Sequence, residues 1–280
     1  MNTLSLFDGM SCGRLALDSA GVLVSNYAAS EIDKYAIKVS QSNYPDIIQL
    51  GDVTTVTADS VPFDPELLLA GSPCQDFSIA GKQDGFLGKR GQLFWEFQRI
   101  MEETKPKYFL LENVKMSKKN ADIISDALGL EPVLINSNKF VPQNRERLYW
   151  TNIPIAALPE KRAFDFPEVL ESDRLWFDVL PWAQKEWAGK RKLDSLRTVV
   201  SPEAFTLTTN ITHSKNYYLN AQRDQMTKLM PIEAERLQGV PEGYTDYVSK
   251  CRRHHMLGNG WTIPVIAHIL KGLNECRSSR

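Results

Sequence analysis

The chain has 280 residues, 42% hydrophobic and 24% charged, with a net charge of −1. That is material for one large or two ordinary domains with a real core, and with no apolar run of membrane-spanning length it excludes a transmembrane chain. The four cysteines, Cys12, Cys74, Cys251 and Cys276, are scattered without a CxxC pair, so zinc-finger and thioredoxin readings have no support.

Residues 3–8 read as a strand and Gly9 and Gly13 bracket a tight turn. A helix pattern over 14–20 follows, and Gly21 stops it. Residues 26–30 read as a second strand ending on Glu31. Strand, glycine turn, helix, strand, acid is the layout of a nucleotide-binding βαβ unit, with the acid placed for ribose hydroxyls. The turn is Gly9-x-x-x-Gly13, not G-x-G-x-x-G, and no basic residue awaits a pyrophosphate. That favours a nucleoside cofactor without phosphates, such as S-adenosylmethionine, over a dinucleotide. An ordinary glycine turn in an α/β sheet gives the same pattern. A helix over 33–44 and a short strand over 47–50 lead to Asp52, a second acid at a strand end, placed to accept from an adenine amino group or simply solvated.

Residues 67–70 are an apolar, buried-strand run, followed at once by Gly71-Ser72-Pro73-Cys74-Gln75. Pro73 fixes its own φ and pushes Ser72 toward extended backbone. Cys74 is therefore held at a strand's carboxyl end, where open α/β sheets bind ligands. Gly81, Gly85, Gly88 and Gly91 punctuate the next loop. A stiff mount for a thiol and a pliable flap suggest a nucleophile with a lid, although most free cysteines are inert core residues. A helix from 92 to 103 with an aromatic face precedes the strand 108–111, which runs into Glu112-Asn113-Val114. A carboxyl there can serve a substrate ring nitrogen. A helix over 121–128 and strands over 133–136 and 148–151 follow. In the extended segment between those strands, Gln143, Arg145 and Arg147 alternate and should share a face, suited to phosphate, carbonyl or carboxylate.

Beyond Pro154 the βαβ rhythm stops. Residues 156–225 carry Trp176, Trp182 and Trp187, a basic stretch over 185–197 and the run Thr206-Leu207-Thr208-Thr209-Asn210. This reads as a smaller, irregular, mostly β domain with a composition suited to nucleic acid, or as a lid. Residues 231–238 form a helix stopped by Gly239. Lys250 to His255 is a basic patch of the kind usually found on a solvated face. Gly258 to Thr262 is a glycine-rich turn, Pro264 opens a last helix to about 273, and 277–280 should fray.

Together these stretches resemble the cytosine-C5 DNA methyltransferases, in that family's order and over nearly the whole chain. The matching motifs are Phe7-Asp8-Gly9, Glu31, Gly51-Asp52-Val53, Gly71-Ser72-Pro73-Cys74-Gln75, Arg90-Gly91-Gln92-Leu93-Phe94, Glu112-Asn113-Val114, Gln143-x-Arg145-x-Arg147, Glu235-Arg236-Leu237-Gln238-Gly239 and Gly258-Asn259. Ser5 to Gly9 and Gly260-Trp261-Thr262-Ile263-Pro264-Val265 are closer to the animal de novo and similar phage enzymes. The bacterial pattern at the second site is more often Gly-Asn-Ser-Val-Pro.

The resemblance implies an α/β Rossmann-like methyltransferase sheet over 1–155 plus 226–280, with a target-recognition domain over 156–225. It implies Cys74 as nucleophile toward cytosine C6, Glu112 at ring N3, Arg147 at O2, Arg145 on the adjacent backbone or Glu112, and Pro73 and Asn113 shaping the pocket. S-adenosyl-L-methionine would be held by Phe7, Asp8, Gly9, Met10, Ser11, Gly13, Glu31, Ile32, Asp52, Val53, Leu93, Asn259 and Trp261. Double-stranded DNA would meet Gln75, Ser78, Gly81, Gln83, Thr206 and Leu207. The resemblance requires no metal and no membrane, and the chain starts without a basic leader, so a reducing cytoplasm of a prokaryotic or phage-infected cell is expected. An inactive DNA-binding homologue and a tRNA cytosine methyltransferase would share parts of this pattern.

Overall fold

A computed structural model of the chain describes residues 1–72, 92–160, 164, 166–179, 197–198, 200–209, 216–222 and 224–278. Two compact units form. The first comprises Met1–Asn136, Glu146–Leu158 and Ile263–Arg280, the second Ser137–Arg145 and Pro159–Thr262. In chain order the described helices are α1 Cys12–Ser19, α2 Lys34–Asn43, α3 Leu93–Thr104, α4 Lys118–Leu128, α5 Pro231–Gln238, α6 Lys250–Asn259, α7 Ile263–Leu270 and α8 Gly272–Ser278. No described helix is long and apolar enough to cross a membrane.

The first unit is built on β1 Asn2–Leu6, β2 Asn26–Ser30, β3 Ile48–Gln49, β4 Leu67–Gly71, β5 Tyr108–Val114, β6 Val133–Asn136 and β7 Glu146–Thr151. Their order is β3-β2-β1-β4-β5-β7-β6. β1 to β5 run parallel, and β7 lies antiparallel to β5 and β6. β4 and the first four residues of β5 are buried apolar runs because a parallel sheet is covered on both faces, while β1 alternates its leucines with buried Thr3 and Ser5. Alternate residues share a face: Leu4, Leu6, Leu68 and Ala70 join Phe94, Phe97 and Ile100 of α3, with Leu111 and Trp150, in one buried cluster. α1 packs on α7. Helix ends follow local chemistry. Asp33 caps α2 by accepting from the Tyr35 N–H, and Gly129 takes φ 68° to end α4. The expected last helix divides in two at Lys271. A Cβ on Gly272 would lie 2.0 Å from the Pro154 carbonyl oxygen, so α8 starts where only glycine allows that approach.

The second unit holds a four-stranded sheet in the order β8-β11-β10-β9, from β8 Phe177–Asp178, β9 Arg197–Thr198, β10 Tyr217–Leu219 and β11 Gln225–Lys228. Contacts group residues 137–145 and 226–262 with this sheet, whereas composition alone suggested a segment limited to 156–225. Buried amides explain the difference. Gln143 Nε2 donates to the Leu237 carbonyl (2.9 Å) and its Oε1 accepts from the Leu207 N–H (3.1 Å). Gln238 Nε2 donates to the Leu257 carbonyl (2.6 Å), and its Oε1 accepts from Thr262 Oγ1 (2.7 Å). α6 is the solvated basic face that its sequence suggested only at Lys250, Cys251 and Arg252, which are exposed. His254 is buried, and Arg253 pairs with Glu235 (3.0 Å) and Asp246.

At Gly258 in α6 a Cβ would stand 2.6 Å from the Thr208 carbonyl carbon and 2.7 Å from the Thr209 nitrogen. Backbone cannot withdraw as a flexible side chain can. Gly258→Ala should therefore lower stability by roughly 1–3 kcal/mol, the usual cost of overpacking. An unchanged thermal midpoint by calorimetry would contradict the close approach.

Candidate active site

Because β1 to β5 are parallel, their carboxyl ends lie on one edge of the sheet, and the sequence places a polar residue or turn after each. Register fixes the neighbours: Leu6 pairs with Ser30 and Ala70, Ala70 with Leu111, and Gly71 with Glu112.

At the β4–β5 part of this edge, Glu112 and Asn113 close a buried strand. Arg147 Nε lies 3.0 Å from Glu112 Oε1, with 14% and 10% of the two side chains exposed. Arg147 also donates to the Glu146 carbonyl (2.8 Å). Its place follows from β7 running backwards, which sets Arg147 opposite Val114. Asn113 Nδ2 donates to Ser72 Oγ (2.8 Å), and its Oδ1 accepts from the Val114 N–H (2.8 Å). Asn113 thus ties the end of β5 to the last described residue before Pro73. Pro73, Cys74, Gln75, Ser78, Gly81 and Gln83 lie outside the described residues, as do Trp182, Trp187 and most of the basic stretch.

At the β1–β3 part, Glu31 Oε2 accepts from the Gly9 N–H (2.7 Å), and Oε1 accepts from the N–H groups of Ile32 and Asp33 (2.8 Å each). Asp52 caps a short turn through Thr54. Hydrogen bonds from the Thr54 backbone and hydroxyl hold this nearly exposed carboxyl below its ordinary pKa. Arg99 of α3 braces that loop by donating to the Val56 carbonyl (2.8 Å). Ile32 is 73% exposed, an apolar side chain in water next to Glu31. Val53 is in the core, and Phe7 and Leu93 pack against it. Asp8 is buried, and so are Met10, Ser11 and Gly13.

Gln143 and Arg145 converge on common neighbours, since Gln238 accepts from Gln143 (3.3 Å) and donates to the Gly260 carbonyl (3.2 Å) that Arg145 also meets (3.0 Å), whereas Arg147 pairs with Glu112. β7 begins at Glu146, and 143–145 is pinned in the second unit by the bridge of Gln143 to Ala204 and by the Asn144 N–H on the Ala204 carbonyl (3.0 Å). Arg145 is buried there and donates to the carbonyls of Gly258 (3.2 Å) and Gly260 (3.0 Å). It holds the end of α6, and with it Asn259 and the buried Trp261. Asn259 is exposed, 3.3 Å from His255 Nε2. Leu207 is buried, with its N–H on Gln143, while Thr206 donates to the Asn144 carbonyl (2.5 Å). Sequence reasoning gave Tyr27 and Arg99 no part, and it held Ser72 and Gln238 within motifs without a role of their own. Of the first two, Tyr27 carried a signal, a large polar-tipped residue in a strand otherwise built of small ones.

A seven-stranded sheet with its seventh strand reversed between the fifth and sixth, and acids at the strand ends, defines the Rossmann-like methyltransferase fold. Solved structures agree. The Dnmt2 methyltransferase of S. pombe superimposes with a TM-score of 0.77 at 20% identity, covering 99% of both chains. The methyltransferase EhMeth of Entamoeba histolytica gives 0.79 at 16%, covering 99% of this chain and 98% of that one. The family model for C-5 cytosine-specific DNA methylase matches residues 1–195 and 160–275. The type II methyltransferase M.NlaX of Neisseria lactamica is 30% identical, covering 99% of this chain and 97% of the relative. M.HaeII of Haemophilus aegyptius is 32% identical, covering 95% and 91%. The chain belongs to the C-5 cytosine-specific DNA methylase family and is a DNA (cytosine-5-)-methyltransferase. Among the described residues no cluster of His, Cys, Asp and Glu could hold a metal ion.

Proposed function

We propose that the enzyme methylates a cytosine swung out of duplex DNA, through a covalent bond between Cys74 and ring C6, with S-adenosylmethionine as donor. The observation that carries this is the buried Glu112–Arg147 pair beside the Asn113–Ser72 tie, two residues before Cys74. Cytosine C5 is a poor nucleophile. Addition of the Cys74 thiolate to C6 pushes the ring electrons toward N3 and C5. Glu112, carrying a proton, would donate it to N3 as a hydrogen bond or by transfer, and Arg147 would offer its guanidinium to O2. The bound donor supplies an electrophilic methyl group on a sulfonium. C5 takes that methyl, which leaves the donor as S-adenosylhomocysteine, then gives its proton to water, and elimination restores the Cys74 thiolate and the aromatic ring. A base inside a helix is out of reach, so it must leave the stack, at a cost of a few kcal/mol.

The residues at β1–β3 suit the donor. Glu31 has one lone-pair direction on Oε2 not used by the backbone, available to a ribose hydroxyl. Exposed Ile32 would cover the adenine, with Phe7 on its other face, and Asp52 would accept its amino group. Backbone from Asp8 to Gly13 would take the methionine end, with Val53 and Leu93 beside the adenine. Residues 156–225 would read the target, with Thr206, Leu207, Gln75, Ser78, Gly81 and Gln83 near the DNA. The named type II relatives suit a cytoplasmic role in restriction and modification.

The test is a duplex carrying 5-fluorocytosine at target positions, incubated with enzyme and donor. Fluorine blocks loss from C5, so a stable adduct should form, and peptide mapping should place it on Cys74. A bond to any other residue overturns the assignment. RNA offered in parallel should not be trapped. For the donor, Glu31→Ala should weaken S-adenosylhomocysteine binding about 10- to 100-fold by titration calorimetry, as expected for hydrogen bonds to a charged group. Unchanged affinity would remove Glu31 from the donor site.

A further inference from the structure

The turn after β1 bends where its residues would not go unaided. Phe7 has φ 56°, Gly9 φ 60° and Ser11 φ 65°. Left-handed backbone costs a non-glycine residue roughly 1–2 kcal/mol, and such conformations persist only where the surroundings fix them. Here the fixing group is Asp8. Its Oδ2 accepts from Ser11 Oγ (2.6 Å) and its Oδ1 from the Tyr27 hydroxyl (2.7 Å). Ser11 Oγ is also 2.6 Å from Ser40 Oγ on α2. Backbone completes the hold: the Asp8 N–H donates to the Ser30 carbonyl and the Ser11 N–H to the Asp8 carbonyl, each at 3.1 Å.

We infer that the chain Tyr27–Asp8–Ser11–Ser40 is a clasp that keeps the turn 7–11 in the shape that receives the donor, making Tyr27 a positioning residue for S-adenosylmethionine. The inference rests on the cofactor reading above. Tyr27 sits on β2, opposite Thr3 and four residues before Glu31, and its ring is buried. The Gly9 N–H is bonded to Glu31, so a change in the turn is felt by the acid assigned to the ribose. One strand therefore carries both the clasp and the ribose acid. Burial pushes the Asp8 carboxyl up to about 6, against the bonds from Ser11, Ser5 and Tyr27 that favour its charge, and Glu31 is the other acid acting on it. Near neutral pH Asp8 is an enclosed anion that depends on these hydroxyl donors. Losing one leaves the ring packing of Tyr27 intact but loosens the anion's hold on Ser11.

The experiment compares wild type with Tyr27→Phe, Asp8→Ala and Asp8→Asn. Tyr27→Phe and Asp8→Ala should raise the dissociation constant of S-adenosylhomocysteine and the KM for donor by about ten-fold, the scale of one buried hydrogen bond to a charged group. For Tyr27→Phe the kcat at saturating donor should stay within about two-fold, since an interaction lost equally from ground and transition state leaves kcat unchanged. Asp8→Asn should restore near wild-type affinity. Its amide oxygen can accept from Tyr27, and its NH2 can donate to Ser11, which then donates to Ser40. Tyr27→Phe with unchanged donor affinity, or with kcat lowered and KM untouched, overturns the clasp even if its melting point falls. A wild type that binds neither donor nor S-adenosylhomocysteine overturns the cofactor reading beneath it.

Discussion

Cys74→Ser is expected to cut methyl transfer to duplex DNA by at least about 10³-fold, the scale on which removing a nucleophile costs rate. The reason is acidity. A cysteine thiol is a few per cent ionised near pH 7 and intrinsically very nucleophilic, whereas a serine hydroxyl needs a general base that this step does not provide. The residue's mount argues that position is not the limiting factor. Ser72, two residues earlier, is held at the end of β4 by Asn113, and Pro73 stiffens the link. Serine is close to isosteric with cysteine, so the variant should fold. Donor affinity should stay within about two-fold, because no residue assigned to the donor sits on this loop. Transfer measured with labelled donor, together with calorimetric binding of S-adenosylhomocysteine, separates the two effects. Robust transfer by the serine variant would remove Cys74 from the chemistry.

The first unit was legible chiefly from the apolar runs of β4 and β5. Leu67 to Ala70 and Phe109 to Leu111 can be little else, and the residues after each run mark the edge where chemistry sits. Glu31, Asp52 and Glu112 stand out this way, while Arg147 stands out only through its alternation with Gln143 and Arg145. Polar residues that do structural work were not legible. Gln143, Arg145 and Gln238 look like surface side chains in sequence, and their burial depends on carbonyl partners up to 115 residues away, at Gly260. That is why residues 137–145 and 226–262 were assigned away from the second unit. β6 was found although Val133 and Leu134 are exposed, since β-branched and aliphatic residues suit an edge strand as well as a core. α4 begins at Lys118, earlier than its apolar spacing suggested, because its first turn is polar and Ser117 caps it. Asp8 shows the same limit at closer range. Its number was legible, but its burial under Tyr27 was not, because nothing in a one-dimensional pattern distinguishes a backbone cradle from a buried brace.

Glu112→Gln carries the second large effect, and it separates catalysis from folding at one residue. In the proposed chemistry Glu112 meets charge that grows at N3 as the thiolate adds, so its contribution is greatest in the transition state. Gln keeps the shape and can still donate, but it cannot deliver a proton. Transfer should fall about 10²- to 10⁴-fold, the range for losing general acid–base assistance, with KM for donor unchanged. The change also strips Arg147 of its anion. Removing one partner of a buried pair costs about 3–5 kcal/mol, and the 14% exposure of Arg147 places this pair toward the low end or below it. A second variant removes that ambiguity. Arg147→Met should destabilise less when combined with Glu112→Gln than the two separate losses predict, because the double variant leaves no unpaired charge. Denaturation of the four forms measures this coupling. If transfer by Glu112→Gln tracks only its folded fraction, Glu112 supports the fold and not the ring. If transfer collapses in fully folded protein, the carboxyl acts on the cytosine.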